Sequence, residues 1–134
     1  MNSTRQKTHT LINNQLCGTP IELDKGFAKI KLKTDTNMIT DETGLIHGGF
    51  IFNLADFAAM LAVNHPNVVL GGANVKFIRP VVKGEILIAK ALVDHRDGRK
   101  IIVKVEVFRG NEKVFNGEFF CFTPEKHVLK KLKQ

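Results

Sequence analysis

The sequence has the length, composition and charge of one basic globular domain. It contains 134 residues, 43% hydrophobic and 25% charged, with a formal net charge of +7. That length suits a single core, and the composition excludes a disordered or fibrous chain. No apolar run reaches the ~20 residues of a membrane span, and the N-terminus has no apolar core of signal-peptide type. We therefore expect a soluble, cytoplasmic protein with no membrane span.

Part of the positive charge lies in the C-terminal tail, 124–134, where four lysines accompany a single glutamate. A basic surface suits a phosphate-bearing ligand or nucleic acid, but a solvated face that keeps the protein soluble is the simpler interpretation. No zinc-finger, helix-turn-helix or aromatic-plus-basic RNA-binding motif accompanies the charge, so we expect no nucleic-acid partner. Two cysteines, Cys17 and Cys121, indicate neither a disulfide framework nor a metal site.

The first predicted elements are a short helix and a β-hairpin. Residues 8–16 have the spacing of an amphipathic helix, which Gly18 ends. Residues 19–23 and 27–33 alternate polar and apolar side chains around an Asp-Lys-Gly turn signal, a pattern typical of two antiparallel strands. We therefore assign 1–18 to an N-terminal segment with a short helix and begin the domain at residue 19.

The segment 50–63 predicts a helix buried on every side, because all of its residues except Asn53 and Asp56 are apolar. These two are three residues apart and share a face with Gly49. Burying an unpaired carboxylate costs several kcal/mol, so Asp56 has either a structural partner or a place in a cavity reached by water and substrate. The helix follows His-Gly-Gly at 47–49, and free N–H groups in a first turn can hold a polarised carbonyl oxygen. The combination predicts acyl chemistry.

Four β-type runs follow the helix, at 68–78, 85–94, 100–108 and 113–123. Turn signals between them predict an antiparallel meander. The expected fold is α+β, a single domain over 19–123 in which a long antiparallel sheet wraps around one central buried helix, with 124–134 as a basic tail. The open edges of such a sheet predict at least a homodimer.

The motifs, taken together, resemble a known family. His-Gly-Gly at 47–49, Leu-Ala-Asp at 54–56 and Val-Lys-Phe-Ile-Arg-Pro at 75–80, with Gly84 beyond them, are similar to the hotdog-fold acyl-CoA thioesterases of the PaaI-like type. The resemblance covers about residues 20–123 and rests on the nine-residue step from His47 to Asp56 together with the Pro80 strand end.

The resemblance implies hydrolysis of an acyl-CoA thioester to free acid and coenzyme A. The backbone N–H of Gly48 would hold the thioester oxygen at the start of the helix. Asp56 would act as general base on a water or as nucleophile, on a substrate held mainly by the other subunit of a dimer. His47 is a candidate base by its residue type, but ordering of the loop by hydrogen bonding is the better interpretation, since the family places the base at the aspartate.

Further residues are implied in substrate binding, with coenzyme A entering as part of the substrate and with no cofactor and no metal. These candidates are Gly49, Asp41, Asn53, Phe57, Asn74, Lys76 and Arg79. Asp41 stands where many relatives place an asparagine that donates to the carbonyl, and an ionised aspartate only accepts hydrogen bonds. Either carbonyl activation is weaker here or Asn37 fills that place. Lys76, Arg79, Lys83 and the basic tail are candidates for the coenzyme A phosphates.

Two other functions fit the same fold. A non-catalytic acyl-CoA-binding or regulatory protein, in lipid sensing or as an accessory to motility or virulence, would bind the thioester without releasing thiol. A hydratase or dehydratase would pair a histidine with an acid in motifs of different spacing, and that spacing is absent. The partners expected are acyl-CoA and a second copy of the chain, as a homodimer or a dimer of dimers.

Overall fold

In the computed structural model, which describes residues 4–132, one antiparallel sheet packs against one long helix. The elements in chain order are α1 Asn14–Cys17, β1 Thr19–Asp24, β2 Phe27–Lys33, a 3-10 turn Thr36–Met38, α2 Gly48–Val63, β3 Val69–Phe77, β4 Ile86–Asp97, β5 Lys100–Arg109, β6 Glu112–Phe122 and α3 Val128–Leu132. No helix in the range 4–132 is long and apolar enough to cross a membrane.

The six strands form one sheet in the order β1-β2-β4-β5-β6-β3, which confirms the predicted α+β fold. The predicted meander is correct for β4, β5 and β6, but β3 pairs with β6 instead of β4. The reason is the connection 78–85, which we call the strap. The buried Val81 anchors it, and its backbone bonds to the loop before α2, so it cannot close a tight turn. This topology leaves β1 and β3 at the edges of the sheet.

Helix α2 is the centre of the core. Its fully buried residues are Ile51, Leu54, Ala55, Phe57, Ala58, Ala59, Met60, Leu61 and Ala62. Beyond the first turn its half-buried residues, Phe52, Asn53, Asp56 and Val63, recur at helical spacing and form one strip. The predicted burial is therefore correct except along this strip, which contains both polar residues. At its end Asn64 adopts a left-handed conformation (φ 53) and its N–H bonds to the Met60 carbonyl, 2.8 Å.

The N-terminal segment differs from its prediction, because only Asn14–Cys17 is helical within the predicted range 8–16. His9 has a positive φ of 56, which interrupts a helix, and the Asn13 side chain caps a new start by accepting from Leu16 N–H. Upstream, the chain follows the end of α2, where the Asn64 side chain donates to the Arg5 carbonyl, 2.8 Å. This contact with the end of α2, rather than the weak amphipathic pattern, determines the path of the N-terminal segment.

Candidate active site on the central helix

The start of α2 is capped by the side chain of His47. The Gly49 N–H donates to His47 Nδ1 over 2.8 Å, which requires that nitrogen to be unprotonated. The ring also meets Phe50 edge-on, with 6.2 Å between centroids. Because this cap occupies Nδ1, the geometry favours the loop-ordering interpretation of His47. The neighbouring Gly48 N–H has no acceptor among residues 4–132 and remains a free donor at the positive end of the helix dipole.

Asp56 lies two turns further along, on the half-buried strip of α2. Its Oδ1 is buried and has no hydrogen-bond partner in the described part of the chain. Burial raises the pKa of Asp56 to about 6. A carboxylate with such a pKa is largely ionised at neutral pH yet is a better proton acceptor than an ordinary aspartate, which suits a general base.

Both cysteines lie within electrostatic range of Asp56. Burial raises the pKa of the Cys121 thiol to about 12, and the negative charge of Asp56 adds to the effect. The same two causes raise the pKa of Cys17. Cys121 is fully buried on β6, as expected for a small core residue. Both thiols are therefore protonated at neutral pH, which argues against either cysteine as a nucleophile.

Asp41 occupies a different environment, in the exposed approach loop, residues 39–47, that leads into α2. Its Oδ1 accepts from the Thr43 hydroxyl (2.5 Å) and from the Thr43 N–H (3.0 Å). These bonds, the side-chain one first, lower the pKa of Asp41. The ionised group cannot donate to a carbonyl oxygen. Asn37, the predicted substitute, is exposed on the 3-10 turn, where its N–H donates to Asp35, 2.8 Å.

The other predicted contact residues divide into two sets. Asn53 shares the half-buried strip with Asp56, and Gly49 is half-buried at the start of the same helix. Phe57 is only 1% exposed, its ring 6.4 Å from that of His9, so it has almost no surface to offer a ligand. Phe57 was predicted to bind substrate, but the structure places it in the core.

The cationic candidates lie away from Asp56 within one chain. Asn74 and Lys76 line a groove of about 650 Å³ on the sheet face opposite α2, together with Lys90 and Lys104. Arg79 Nε pairs with Glu112 Oε2 at 3.0 Å. Lys76 remains exposed and accessible. Their role toward coenzyme A stays a prediction, since one chain does not bring them to the carboxylate.

Sequence reasoning missed the strap as part of the site. The Ile46 N–H donates to the Val81 carbonyl and the Lys83 N–H to the Gly44 carbonyl, each over 2.8 Å. These bonds fix the approach loop immediately before His47. The partners are more than thirty residues apart in sequence, so no local pattern could have revealed them. Within 4–132, no three His, Cys, Asp or Glu side chains are grouped so as to hold a metal ion.

Similarity to known proteins extends over the site. The profile of the thioesterase superfamily matches residues 43–115, from the approach loop into β6. The crystal structure of an uncharacterized protein, PH1136, from Pyrococcus horikoshii is 50% identical, with a TM-score of 0.95 over 96% of this chain and 99% of that one. That of Cj0977, a sigma28-regulated virulence protein from Campylobacter jejuni, is 32% identical, with a TM-score of 0.87 over 92% and 88%.

Curated relatives carry several names. A methylthioribose-1-phosphate isomerase of Aquifex aeolicus is 55% identical over 114 residues, which is 85% of this chain but 25% of that protein. The transcription factor FapR of Caldanaerobacter subterraneus is 31% identical over 94% of this chain and 64% of its own length. The chain thus spans a quarter of the length of the isomerase and under two thirds of the length of FapR. The acyl-coenzyme A thioesterase PaaI of Escherichia coli is 28% identical over 81% of each chain. With the superfamily match and the site motifs, these similarities show that the chain belongs to the thioesterase superfamily, as a hotdog-fold protein of the PaaI-like type.

Proposed function

We propose that the protein hydrolyses an acyl-CoA thioester to the free acid and coenzyme A, as a cytoplasmic homodimer. The observation that carries the proposal is Asp56, whose Oδ1 is buried without a hydrogen-bond partner among the described residues and whose pKa burial raises to about 6. Keeping such a group destabilises the fold, since an unpaired buried charge is costly. A reaction that needs a base near neutral pH gives the chain a reason to retain it.

Asp56 has two chemically balanced routes to the products. As general base, it takes a proton from a water whose oxygen attacks the thioester carbonyl carbon; the C–S bond then breaks and the departing sulfur takes up a proton. As nucleophile, its own oxygen attacks that carbon and expels the thiolate, and water hydrolyses the resulting anhydride. In both routes negative charge develops on the carbonyl oxygen, where the free Gly48 N–H at a helix start would stabilise it.

The two parts of this machinery are too far apart on one helix to serve one substrate. Gly48 and Asp56 are eight residues apart, which is about 12 Å along an α-helix at its usual rise. An attacking water and a carbonyl group together span far less than that distance. We therefore propose that the carbonyl bound at Gly48 of one chain meets Asp56 of a second copy, so that each dimer has two composite sites.

Exposed apolar side chains near the start of α2 support this pairing. Phe77 is 53% exposed at the end of the edge strand β3, and a Cβ placed on Gly48 would lie 3.2 Å from its ring. Ile78 and Val82 of the strap are each 44% exposed. An unpaired strand edge beside such a patch is suited to a second copy.

The alternative is a protein that binds acyl-CoA without turnover. It is favoured by the ionised Asp41, which cannot donate to the thioester oxygen, and by relatives that are named a transcription factor and a virulence protein rather than enzymes. Either activity would use the same half-buried strip of α2. Release of thiol separates the two functions.

The test is a panel of short, long and aromatic acyl-CoAs offered to the wild type, Asp56→Ala and Asp41→Ala, with free thiol and thermal stability recorded. The enzyme proposal predicts release that falls by ~10² or more in Asp56→Ala, as is usual for the loss of a positioned base, and much less in Asp41→Ala. Thermal stabilisation by a ligand without release in any of the three proteins would contradict hydrolysis and leave the binding function.

A further inference from the structure

Arg109, at the end of β5, joins three acceptors outside the proposed catalytic residues. Its Nη1 donates to the Pro80 carbonyl at 2.9 Å and to Glu85 Oε1 at 3.0 Å, and its Nη2 donates to Glu112. Glu112 also pairs with Arg79. The side chains of Arg109 and Glu85 are 26% and 24% exposed, so this network is partly shielded from water. Arg109 thereby holds the strap near both of its ends.

The strap in turn contacts the approach loop through hydrogen bonds and a β-bridge. Glu85 Oε1, the acceptor of Arg109, also accepts from the Val82 N–H at 2.8 Å. Val82 forms a β-bridge with Leu45, next to the bond from Ile46 N–H to Val81. His47, the cap of α2, follows Ile46 directly and its own N–H donates to Met38 at 2.9 Å. Three hydrogen bonds, together with the peptide links Val81–Val82 and Ile46–His47, therefore connect the guanidinium to the residue before Gly48.

We propose that Arg109 is a positioning residue, which sets the conformation of the approach loop and hence of the Gly48 N–H by clamping the strap at Pro80 and Glu85. A guanidinium is required because its planar fork presents five donors in fixed directions, whereas the three donors of an ammonium leave from one point. The effect on the loop is independent of what the site does; the effect on turnover rests on the proposed function.

Arg99 provides a matched control. Like Arg109, it bonds one main-chain carbonyl, that of Thr123 at 3.1 Å, and it bonds one carboxylate, that of Glu125 at 2.8 Å, where Arg109 bonds two. These partners lie near the C-terminal end of the described chain and have no link to the strap. Arg99→Ala removes the same charge and similar bonds elsewhere, so an effect specific to Arg109 cannot come from charge alone.

The experiment compares the wild type, Arg109→Ala, Arg109→Lys and Arg99→Ala by amide hydrogen exchange and by thioester kinetics. We expect exchange of the Ile46 and Lys83 amides to accelerate by about tenfold or more in both Arg109 variants and to stay unchanged in Arg99→Ala. We expect kcat to fall by about tenfold, with KM within about threefold and the midpoint of the pH profile unmoved, because small displacements of a positioned donor affect mainly the reacting geometry. Arg109→Lys keeps the charge and guards against a variant that fails to fold.

Unchanged protection of Ile46 and Lys83 in both Arg109 variants would overturn the proposal, as would equal acceleration in Arg99→Ala. Restoration of protection and kcat by Arg109→Lys would overturn the requirement for a guanidinium. A wild type that releases no thiol, but whose Arg109 variants lose protection at these two amides, would refute hydrolysis and still support positioning by Arg109.

Discussion

The approach loop before His47 and the central helix after it each carry an aspartate, and their surroundings give the two carboxylates opposite properties. Asp41 is exposed and accepts two hydrogen bonds from Thr43, which lower its pKa. Asp56 is half-buried, its buried Oδ1 has no hydrogen-bond partner within residues 4–132, and burial raises its pKa to about 6. The comparison shows that donors and burial, rather than residue type, decide which carboxylate can take a proton at neutral pH.

The largest expected effect is that of Asp56→Asn, which keeps the shape of the side chain and removes its charge. Thioester turnover should fall by ~10² or more. The free energy of unfolding at pH 8 should rise by about 1–3 kcal/mol, because the folded variant no longer buries an ionised carboxylate. Since the pKa of Asp56 is raised in the fold, this gain should be absent below about pH 4, develop between pH 4 and about pH 6, and be complete at pH 8.

Denaturant titrations at pH 4 and pH 8 measure the gain in stability. Asp41→Asn is the control with the opposite sign: the pKa of Asp41 is lowered, so its contribution is present at neutral pH and lost as the pH falls. A loss of stability at pH 8 in Asp56→Asn would mean that the carboxylate has a stabilising partner and would refute its assignment as a strained catalytic group.

The second-largest loss of thioester turnover is expected of Gly49→Ala, at the start of α2. A Cβ at this position would lie 2.8 Å from His47 Nδ1, so the ring must move and its cap on the helix is lost. We expect turnover to fall by about tenfold because the neighbouring Gly48 donor shifts with it. The control is the double variant with His47→Ala, in which Gly49→Ala should cost little more, since the clash is removed. Full additivity in kinetics would contradict this mechanism.

A similar effect is expected of His47→Ala, which removes the cap outright. Loss of a helix N-cap costs about 1 kcal/mol of unfolding free energy, and turnover should decline by about tenfold while the midpoint of its pH profile stays in place. Asparagine is itself a good cap, so His47→Asn should keep the unfolding free energy and the turnover near those of the wild type. Loss of the acid limb of the pH profile in both variants would instead identify His47 as the base.

The smallest change in thioester turnover is expected of Asp41→Asn. An asparagine oxygen can still accept from Thr43, and the side chain lies in the exposed loop, so turnover should change by less than about threefold. Steady-state kinetics on the best substrate of the panel would measure the change. A gain of tenfold or more would show that the amide of residue 41 reaches the thioester carbonyl, as the family resemblance implies.

The sequence was sufficient for the parts of the fold that rest on local periodicity. The apolar run after His47 identified α2, and the alternation around Ile102 identified β5, because a helix or strand shows its buried face as a repeat. Prediction from the sequence failed where contacts between residues far apart in the chain determine the structure. The pairing of β3 with β6, the short α1 and the Arg109 network depend on partners far along the chain. Asp56 was identifiable because a lone carboxylate in an apolar helix is conspicuous, whereas the ion pair of Arg79 was not.

The central claim is that ionised Asp56 drives hydrolysis, and the pH dependence of kcat/KM for thiol release tests it most directly. For the wild type we predict a rise with pH through a midpoint near 6 and a plateau above it, because the base must be deprotonated in the free protein. In Asp56→Asn the residual rate should lose that midpoint. A wild-type rate that does not change between pH 4.5 and 8, or a midpoint near 6 that persists in Asp56→Asn, would contradict the account.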